Sequence, residues 1–394
     1  MSTRPAHPAP PSHHDASPQP PPPRLAPAEA LLREVTPADL ARLQHLSGYP
    51  MVSVLLPTTP GARLTPEDQA NLTALVERAH RRLTGELPGA QVDELIGPLR
   101  RLAAQVIESP AGPGLVLFAG AGVVEAYRIA LSPAPRVVID PSFATRDLAR
   151  VVAENPPYRL LTLASGSAAL YLGTGAQLHE RATGGGFPIG EPPTDSPADR
   201  RGHLHQGEPS HRGAHRWDRF LRQVDEALTA DQRTRDLPLI LAAAEPLASR
   251  YRRRTSHEFV GTIAGNHQRT PTARLAGLAR PVIELHLAQQ RQEARDGLER
   301  AVDQRRAAMG IHQVWQAASD GRIALLLVDP AYTYPALAAP DGRSLTRSHD
   351  PEHPDVLDDA VDEIIELAAR RGGRVCFTTL DGTGHEIAAV LETR

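Results

Sequence analysis

Four histidines between residues 203 and 215 are the side chains whose type and spacing best suit metal chemistry. They belong to a chain with 17 histidines, and they are His203, His205, His211 and His215. Together with the nearby acids Asp195, Asp199 and Glu208, they could hold a metal ion that activates water for hydrolysis. Metal ligands must be held rigidly by their neighbours, whereas this segment is rich in Gly, Pro and polar residues. We therefore favour a solvated loop without a metal, and keep a metal-dependent nuclease or phosphohydrolase as an alternative.

Two groups of arginines could bind the phosphates of RNA. The first lies in the same segment and consists of Arg200, Arg201, Arg212 and Arg216. The second is the densest basic cluster of the chain and surrounds Tyr251; it consists of Arg250, Arg252, Arg253 and Arg254. A guanidinium group binds phosphate oxygens through a planar fork of N–H donors. For the second group, an RNA contact and an ordinary solvated helix face both stay open.

The first group and the histidines must be positioned by a strand before them and a helix after them. Residues 168–172 form the strand candidate, and the long loop runs from Gly173 to His215. The helix begins at Arg216, and its apolar face recurs at helical spacing through Trp217, Phe220 and Val224. A loop of this length in a compact domain is usually functional or disordered. We expect it to be the working part of the molecule.

Alternating helix and strand signals over 394 residues indicate two or three α/β domains. We predict a disordered Pro-rich tail over residues 1–30 and an N-terminal α/β domain over 31–135. A middle domain over 136–272 contains the loop 173–215. A connecting helix over 273–310 then leads to a C-terminal α/β/α domain over 311–394.

Local signals in the last third of the chain predict further details. The helical pattern continues from Arg274 to Met309. Asp355 is a fitting N-cap for the last helix, and Asp381 with Gly382 is typical of a hairpin turn between two short strands.

The composition excludes several classes of chemistry. All 43 basic residues are arginine, so no lysine can serve a Walker A loop, a Schiff base or general base catalysis. Cys376 is the only cysteine, which excludes a disulfide within the chain and a cysteine-based zinc site. No apolar run has membrane-spanning length, and the first residues lack the apolar core of a signal peptide. We expect a cytoplasmic protein without a membrane contact.

Charge is distributed unevenly along the chain. Residues 311–394 hold 14 acids and 7 arginines, whereas residues 1–310 hold 32 acids and 36 arginines. Phosphates attract the first part and repel the second. We therefore expect RNA contacts before residue 311 and a protein partner at the acidic C-terminal domain.

The order of these parts resembles the bacterial relatives of the archaeo-eukaryotic peptide-chain release factors, in particular their third subfamily. The similarity covers roughly residues 45–394. It rests on the order and spacing of four short stretches: residues 217–225 (WDRFLRQVD), 265–267 (GNH), 316–323 (QAASDGRI) and 372–375 (GGRV).

The resemblance implies an α/β, multi-domain fold with a ribonuclease-H-like middle domain, followed by an α/β/α C-terminal domain like the kink-turn-binding ribosomal proteins. True release factors carry a Gly-Gly-Gln loop between the corresponding strand and helix, whose glutamine positions water against the peptidyl-tRNA ester. This chain has Gly184, Gly185 and Gly186 followed by Phe187, and Gln206 is the only glutamine between Gln177 and the helix. The sequence shows no codon-reading domain, which argues against stop-codon-specific termination.

The expected function is that of a ribosome-associated, release-factor-like protein that contacts tRNA or rRNA. If it is an enzyme, it is a peptidyl-tRNA hydrolase of ribosome rescue in which Gly184, Gly185, Gly186 and Gln206 position water. No cofactor and no metal are implied. A catalytically inactive ribosome-binding adaptor and the metal-dependent nuclease are the alternatives, and fold-level similarity cannot separate the adaptor from the hydrolase.

Overall fold

The computed structural model describes residues 32–164, 166–175, 177–180, 186–190, 211–349, 353 and 355–392, without the side chains of residue 180 and of residues 211–216. The chain divides into two compact units. The composite unit contains the chain up to Ala153 and again from Glu293, and the middle unit contains residues 154–292.

Five strands form the first sheet of the composite unit: β1 (Leu32–Glu34), β2 (Met51–Pro57), β3 (Gly114–Gly120), β4 (Val123–Ile129) and β5 (Arg136–Asp140). Their order is β1-β4-β3-β2-β5. β1 is parallel to β4, and the other neighbours are antiparallel. The central strand β2 is apolar on both faces: Val52 and Val54 belong to one core, and Met51 and Leu55 belong to the other.

Four helices cover the two faces of this sheet: α1 (Pro37–Gln44), α2 (Pro66–Thr84), α3 (Gly89–Val106) and α4 (Arg146–Glu154). α2 and α3 pack on one face, and α1 and α4 pack on the other. Thr36 and Thr65 cap α1 and α2 in capping boxes with Asp39 and Asp68. These threonines start the helices because their hydroxyls accept backbone N–H groups that have no partner within the helix.

The second part of the composite unit has a four-stranded and a three-stranded sheet. The strands of the first are β12 (Ala307–Met309), β13 (Ile323–Val328), β17 (Arg374–Phe377) and β18 (Ile387–Leu391), in the order β12-β18-β13-β17. Helices α8 (Gly310–Ser319) and α9 (Ala360–Arg370) pack together on one face of this sheet. The small sheet consists of β14 (Ala336–Ala338), β15 (Leu345–Arg347) and β16 (Val356–Leu357), with β14 in the centre.

The middle unit contains one mixed sheet: β6 (Tyr158–Ala164), β7 (Ser167–Thr174), β8 (Gln177–Glu180), β9 (Ile189–Gly190), β10 (Leu239–Ala243) and β11 (Gly261–Ala264). The order is β11-β10-β6-β7-β8, and β9 pairs with β7. β6, β7 and β8 form an antiparallel meander, and β10 and β11 run parallel to β6.

Helices cover both faces of the middle sheet. α5 (His211–Ala230) and α6 (Glu245–Arg252) pack on one face. The first turns of the long helix α7 (Thr272–Asp303) cover the other face with Leu275, Ala279 and Ile283. Within the composite unit, the last turns of α7 pack Ala294 and Leu298 against the second sheet.

Strand β5 and helix α4 belong to the composite unit, although the sequence analysis assigns residues from 136 onward to the middle domain. β5 pairs with β2, with Val52 opposite Ile139. The central strand β2 pairs with a neighbour on each side. Tertiary packing decides which segment becomes the second neighbour, and local sequence patterns do not encode that choice. The remaining predicted boundaries stay predictions.

Four local predictions need correction. α7 ends at Asp303 rather than Met309, because Arg305 adopts a positive φ of 55° and residues 307–309 pair with β18. Asp359, not Asp355, caps α9 by accepting the N–H of Val361. β17 and β18 both pair with β13, so Asp381 and Gly382 do not connect paired strands. α5 begins at His211, five residues before the predicted start.

The two parts of the composite unit meet through buried charges. Arg146 Nη1 donates to Asp359 Oδ2 at 2.8 Å, and Arg82 Nη1 donates to Asp358 Oδ2 at 3.2 Å. In both pairs each side chain is at most 11% exposed. The backbone N–H of Arg146 also donates to Asp362 at 3.0 Å. Because residues of α4 and α2 face acids next to and within α9, these contacts fix the two parts together.

Burial raises the pKa of several carboxyl groups at this interface. Burial, followed by the nearby Asp358 carboxylate, raises the pKa of Asp140 to about 8. Burial, followed by the carboxylates of Asp362 and Glu363, raises the pKa of Glu366 to about 9. We give the name acid interface to the six acidic residues that lie where the two parts meet: Asp140, Asp358, Asp359, Asp362, Glu363 and Glu366.

Some acidic residues of the C-terminal part therefore make contacts within the chain itself. Five of its 14 acids contact residues of the first part: Asp358, Asp359, Asp362, Glu363 and Glu366. The expected external protein partner stays a prediction that concerns the remaining acids.

The predicted mixed α/β fold with several sheets is confirmed. The likeness of the middle domain to ribonuclease H, and of the last domain to kink-turn-binding ribosomal proteins, stays a prediction. The predicted tail over residues 1–30 lies outside the described residues. No helix in the described ranges has the length and apolar character needed to cross a membrane.

Candidate nucleic-acid interface

The two ends of the long predicted loop are anchored on one apolar core. Leu170 of β7 belongs to the same buried cluster as Phe220, Leu221 and Val224 of α5. Strand β7 and helix α5 therefore lie in a single folding unit, which is what the comparison with release factors requires.

The chain between these ends returns to the sheet once. Ile189 of β9 pairs with Ala168 of β7, and Phe187 and Ile189 are each 5% exposed. This return was not predicted from the sequence, although the alternation of Phe187 and Ile189 is a signal for it. The segment from Gly173 to His215 is therefore not one continuous loop.

Gly186 is the described member of the predicted catalytic set. Its φ of 84° is a conformation that favours glycine, and a Cβ there would lie 3.4 Å from the Cβ of Ala227 in α5. Next to it, Phe187 enters the core. Gly184, Gly185 and Gln206 lie outside the described residues, so their role in positioning water stays a prediction.

The predicted arginines divide into three groups. Arg200 and Arg201 lie outside the described residues, and Arg212 and Arg216 lie on α5 with side chains that the structure does not describe. Within the cluster at α6, the structure separates two arginines that are engaged from two that are exposed.

Arg250 and Arg254 are engaged with Asp218 of α5. Arg250 Nη2 donates to Asp218 Oδ1 at 3.2 Å, and Arg254 Nη1 donates to the same oxygen. Arg252 and Arg253 are exposed, and neither has an ion-pair partner in the part of the chain that the structure describes. Two of the four predicted guanidinium groups are thus free to meet a phosphate.

Two further exposed arginines on α5 extend this surface. Arg219 and Arg222 follow Asp218 by one and four positions, on the side of the helix away from the buried face that contains Phe220 and Val224. We call Arg219, Arg222, Arg252 and Arg253 the arginine surface. In the sequence, Arg219 and Arg222 belong to the stretch 217–225 that resembles the family. Their helical spacing relative to the apolar face was the signal that marked them as exposed.

A partly buried polar network joins α5 to the end of α6, where the arginine surface lies. Tyr251 donates through its hydroxyl to Asp225 Oδ1 at 3.4 Å, and the Thr255 hydroxyl donates to the same oxygen. His257 Nε2 lies 3.3 Å from the Thr229 hydroxyl. Burial raises the pKa of Tyr251, so the phenol stays a neutral donor. This network positions α5 relative to the end of α6.

The histidines near the sheet edge have structural contacts. Besides His257, the ring of His267 lies 3.2 Å from the carbonyl oxygen of Ala264 and 3.4 Å from the Thr270 hydroxyl. Both contacts of His267 lie within three residues of it in the chain, so the ring stabilises the turn after β11.

Nothing in the described ranges supports the metal-dependent nuclease. No group of His, Cys, Asp and Glu there is arranged to hold a metal ion. The parallel strands β6, β10 and β11 carry no carboxylate (YRLLTLA, LILAA and GTIA). His203 and His205 lie outside the described residues, and His211 and His215 are described only by their backbone in α5.

Part of this chain is similar to a known protein family. Residues 157–322 match the model of bacterial archaeo-eukaryotic release factor family 3. Over these residues the chain is similar to that family. The matched region begins at β6 and contains the whole middle sheet, the arginine surface and α7. The resemblance that the sequence motifs indicated is confirmed.

Three archaeal structures are similar to this chain at low sequence identity. An archaeal translation termination factor is 15% identical over 93% of this chain and all of its own, with a TM-score of 0.24. Pelota from Archaeoglobus fulgidus is 15% identical, covering 71% of this chain and 80% of its own, with a TM-score of 0.31. A ribosome-bound archaeal Pelota is 13% identical over 92% and 95%, with a TM-score of 0.39. No curated protein sequence matches the chain.

Proposed function

We propose that this release-factor relative associates with the ribosome and contacts rRNA or tRNA through the arginine surface of its middle unit. One observation carries the proposal. Four exposed arginines lie on α5 and at the end of α6, two helices that a partly buried network holds together, and they lie within the region that matches the family.

The physical argument concerns the phosphate backbone. Guanidinium groups bind phosphate oxygens strongly, and such contacts give affinity without sequence specificity. Because the chain has no lysine, every permanent side-chain cation available for phosphate contact is an arginine. The acid interface lies in the other unit, and its carboxylates are engaged there.

Cosedimentation with purified bacterial ribosomes at low and high salt tests the proposal. The variant R252E/R253E should weaken binding at low salt by at least about tenfold, because two phosphate contacts are replaced by repulsion. The variant R81E/R101E changes the net charge equally, at exposed arginines of α2 and α3, and should bind like the wild type. Equal binding by all three proteins, or equal loss in both variants, would contradict the proposal.

Within this function, the environment of Phe187 favours an adaptor over a hydrolase. Phe187 occupies the position directly after the glycines, where release factors have their glutamine, and its side chain is buried in the middle core. A side chain held there is not available to position water. Hydrolysis would then depend on Gln206.

Peptide release from peptidyl-tRNA on stalled ribosomes separates the adaptor from the hydrolase. We expect the wild type to bind ribosomes and to leave the ester intact at the uncatalysed rate. Release by the wild type that Gln206→Ala abolishes, with ribosome binding retained, would support the hydrolase instead.

A further inference from the structure

Asp218 holds two guanidinium groups beside the arginine surface. Its Oδ1 accepts hydrogen bonds from both Arg250 and Arg254. The three side chains are partly exposed, at 28% for Asp218, 38% for Arg250 and 43% for Arg254. A single oxygen anion between two guanidinium groups is also the arrangement that a phosphate oxygen would adopt there.

Asp218 stays ionised in this position. Its partial burial works in the opposite direction, but the hydrogen bonds from Arg254 and Arg250 outweigh it and lower the pKa of Asp218. The carboxylate therefore competes for these cations at any physiological pH.

The contact is not needed to hold α5 against α6. Exposed ion pairs contribute little to stability. The two helices already share a core in which Phe220 and Leu221 pack with Ala248 and Tyr251. Asp225 adds hydrogen bonds from Tyr251 and Thr255. The effect of Asp218 on its neighbours is thus mainly electrostatic.

We propose that Asp218 is an intramolecular competitor for RNA phosphate, which occupies Arg250 and Arg254 and so limits the affinity of the arginine surface. This inference rests on the proposed function and concerns the same surface. When RNA binds, a phosphate oxygen must displace the carboxylate from one or both guanidinium groups. Because of this exchange, RNA binds more weakly and dissociates faster than it would if Arg250 and Arg254 were as free as the four arginines of the arginine surface.

Two isosteric variants of the full chain test the inference. Asp218→Asn removes the competing charge, and Glu226→Gln removes one charge from the same helix, where Glu226 is exposed and has no ion-pair partner among the described side chains. The probe is a short fluorescein-labelled RNA hairpin, titrated at several salt concentrations. Asp218→Asn should bind about three- to tenfold more tightly at low salt, with a plot of log K against log salt steeper by about one to two units. Glu226→Gln should change affinity by less than about twofold.

A third variant shows whether the tighter RNA binding of Asp218→Asn depends on the guanidinium groups that Asp218 holds. In the Asp218→Asn background, Arg254→Gln should remove most of the gain, whereas in the wild type it should change little. Equal tightening by Asp218→Asn and Glu226→Gln would show a general charge effect and overturn the inference. Unchanged or weaker binding by a folded Asp218→Asn protein would overturn it as well.

The outcomes for the inference and for the proposed function are distinguishable. If the wild type binds the hairpin through Arg252 and Arg253 but Asp218→Asn does not tighten binding, only the role of Asp218 fails. If neither the wild type nor Asp218→Asn binds the hairpin, and R252E/R253E retains ribosome binding, the proposed surface fails too.

Discussion

The arginines of the arginine surface in the middle unit and the arginines that pair with the acid interface in the composite unit lie in opposite environments. At the acid interface, Arg82 and Arg146 are buried with their partners Asp358 and Asp359. At the arginine surface, Arg252 and Arg253 are exposed and have no ionic partner in the described ranges. The difference teaches that buried arginines of this chain serve its own fold, whereas exposed arginines without an ionic partner are available to an external phosphate.

The energetic reason lies in desolvation. A buried charge loses its hydration, so removing its partner leaves it uncompensated at a cost of several kcal/mol. An exposed guanidinium keeps its hydration, contributes little to the fold and interacts with other charges in a salt-dependent way. Substitutions at the acid interface should therefore change the free energy of unfolding, and substitutions at the arginine surface should change RNA binding.

The largest expected effect is the loss of Arg146. Arg146→Ala removes the partner of Asp359 and the donor to the carbonyl oxygen of Pro330, and should lower the free energy of unfolding by about 3–5 kcal/mol. Urea unfolding measures it. The control Arg100→Ala breaks an exposed pair with Glu77 and should cost no more than about 1 kcal/mol. Similar costs for the two variants would remove the distinction between the regions.

A smaller effect is expected from pH. The folded-state pKa values of Asp140 and Glu366, about 8 and about 9, exceed those of the unfolded chain. The folded state therefore retains protons that the unfolded state releases. The two protonated carboxyl groups therefore contribute to the free energy of unfolding. Their contribution is fully present below the unfolded pKa values, near pH 4, and is lost as the pH rises through the folded values. We expect the unfolding free energy to fall by at least about 1 kcal/mol between about pH 6 and about pH 9.

Asp140→Asn should flatten this pH dependence, since the amide does not titrate. Asp93→Asn, at an exposed position of α3, should leave the curve unchanged. A wild-type stability that rises over the same range would show that these carboxyl groups are ionised in the folded protein.

The smallest effect on stability is expected at the arginine surface. Arg252→Gln should change the unfolding free energy by less than about 0.5 kcal/mol, because the side chain is exposed. The same variant should reduce the salt slope of RNA hairpin binding by about one unit, which corresponds to one phosphate contact. A large loss of stability without a change in the slope would assign Arg252 to the fold.

The candidate site was predictable only in part. The cluster from Arg250 to Arg254 stands out in the sequence because its members are adjacent. That Arg250 and Arg254 are engaged while Arg252 and Arg253 are free depends on Asp218, which lies 32 and 36 positions away. A pattern within one helix does not show which of its charges a second helix will neutralise.

The sequence by itself determined the helix starts at Thr36 and Thr65, the apolar strands, the family motifs and the absence of lysine chemistry. These features are local: a cap acts within one helical turn, and a strand is recognised by its own side chains. Only the tertiary structure decided that β5 pairs with β2, that Phe187 returns to the core, and that the acids of the last domain face the first part of the chain. The physical reason is sequence separation, since Arg146 and Asp359 are 213 positions apart and only folding removes both from water together.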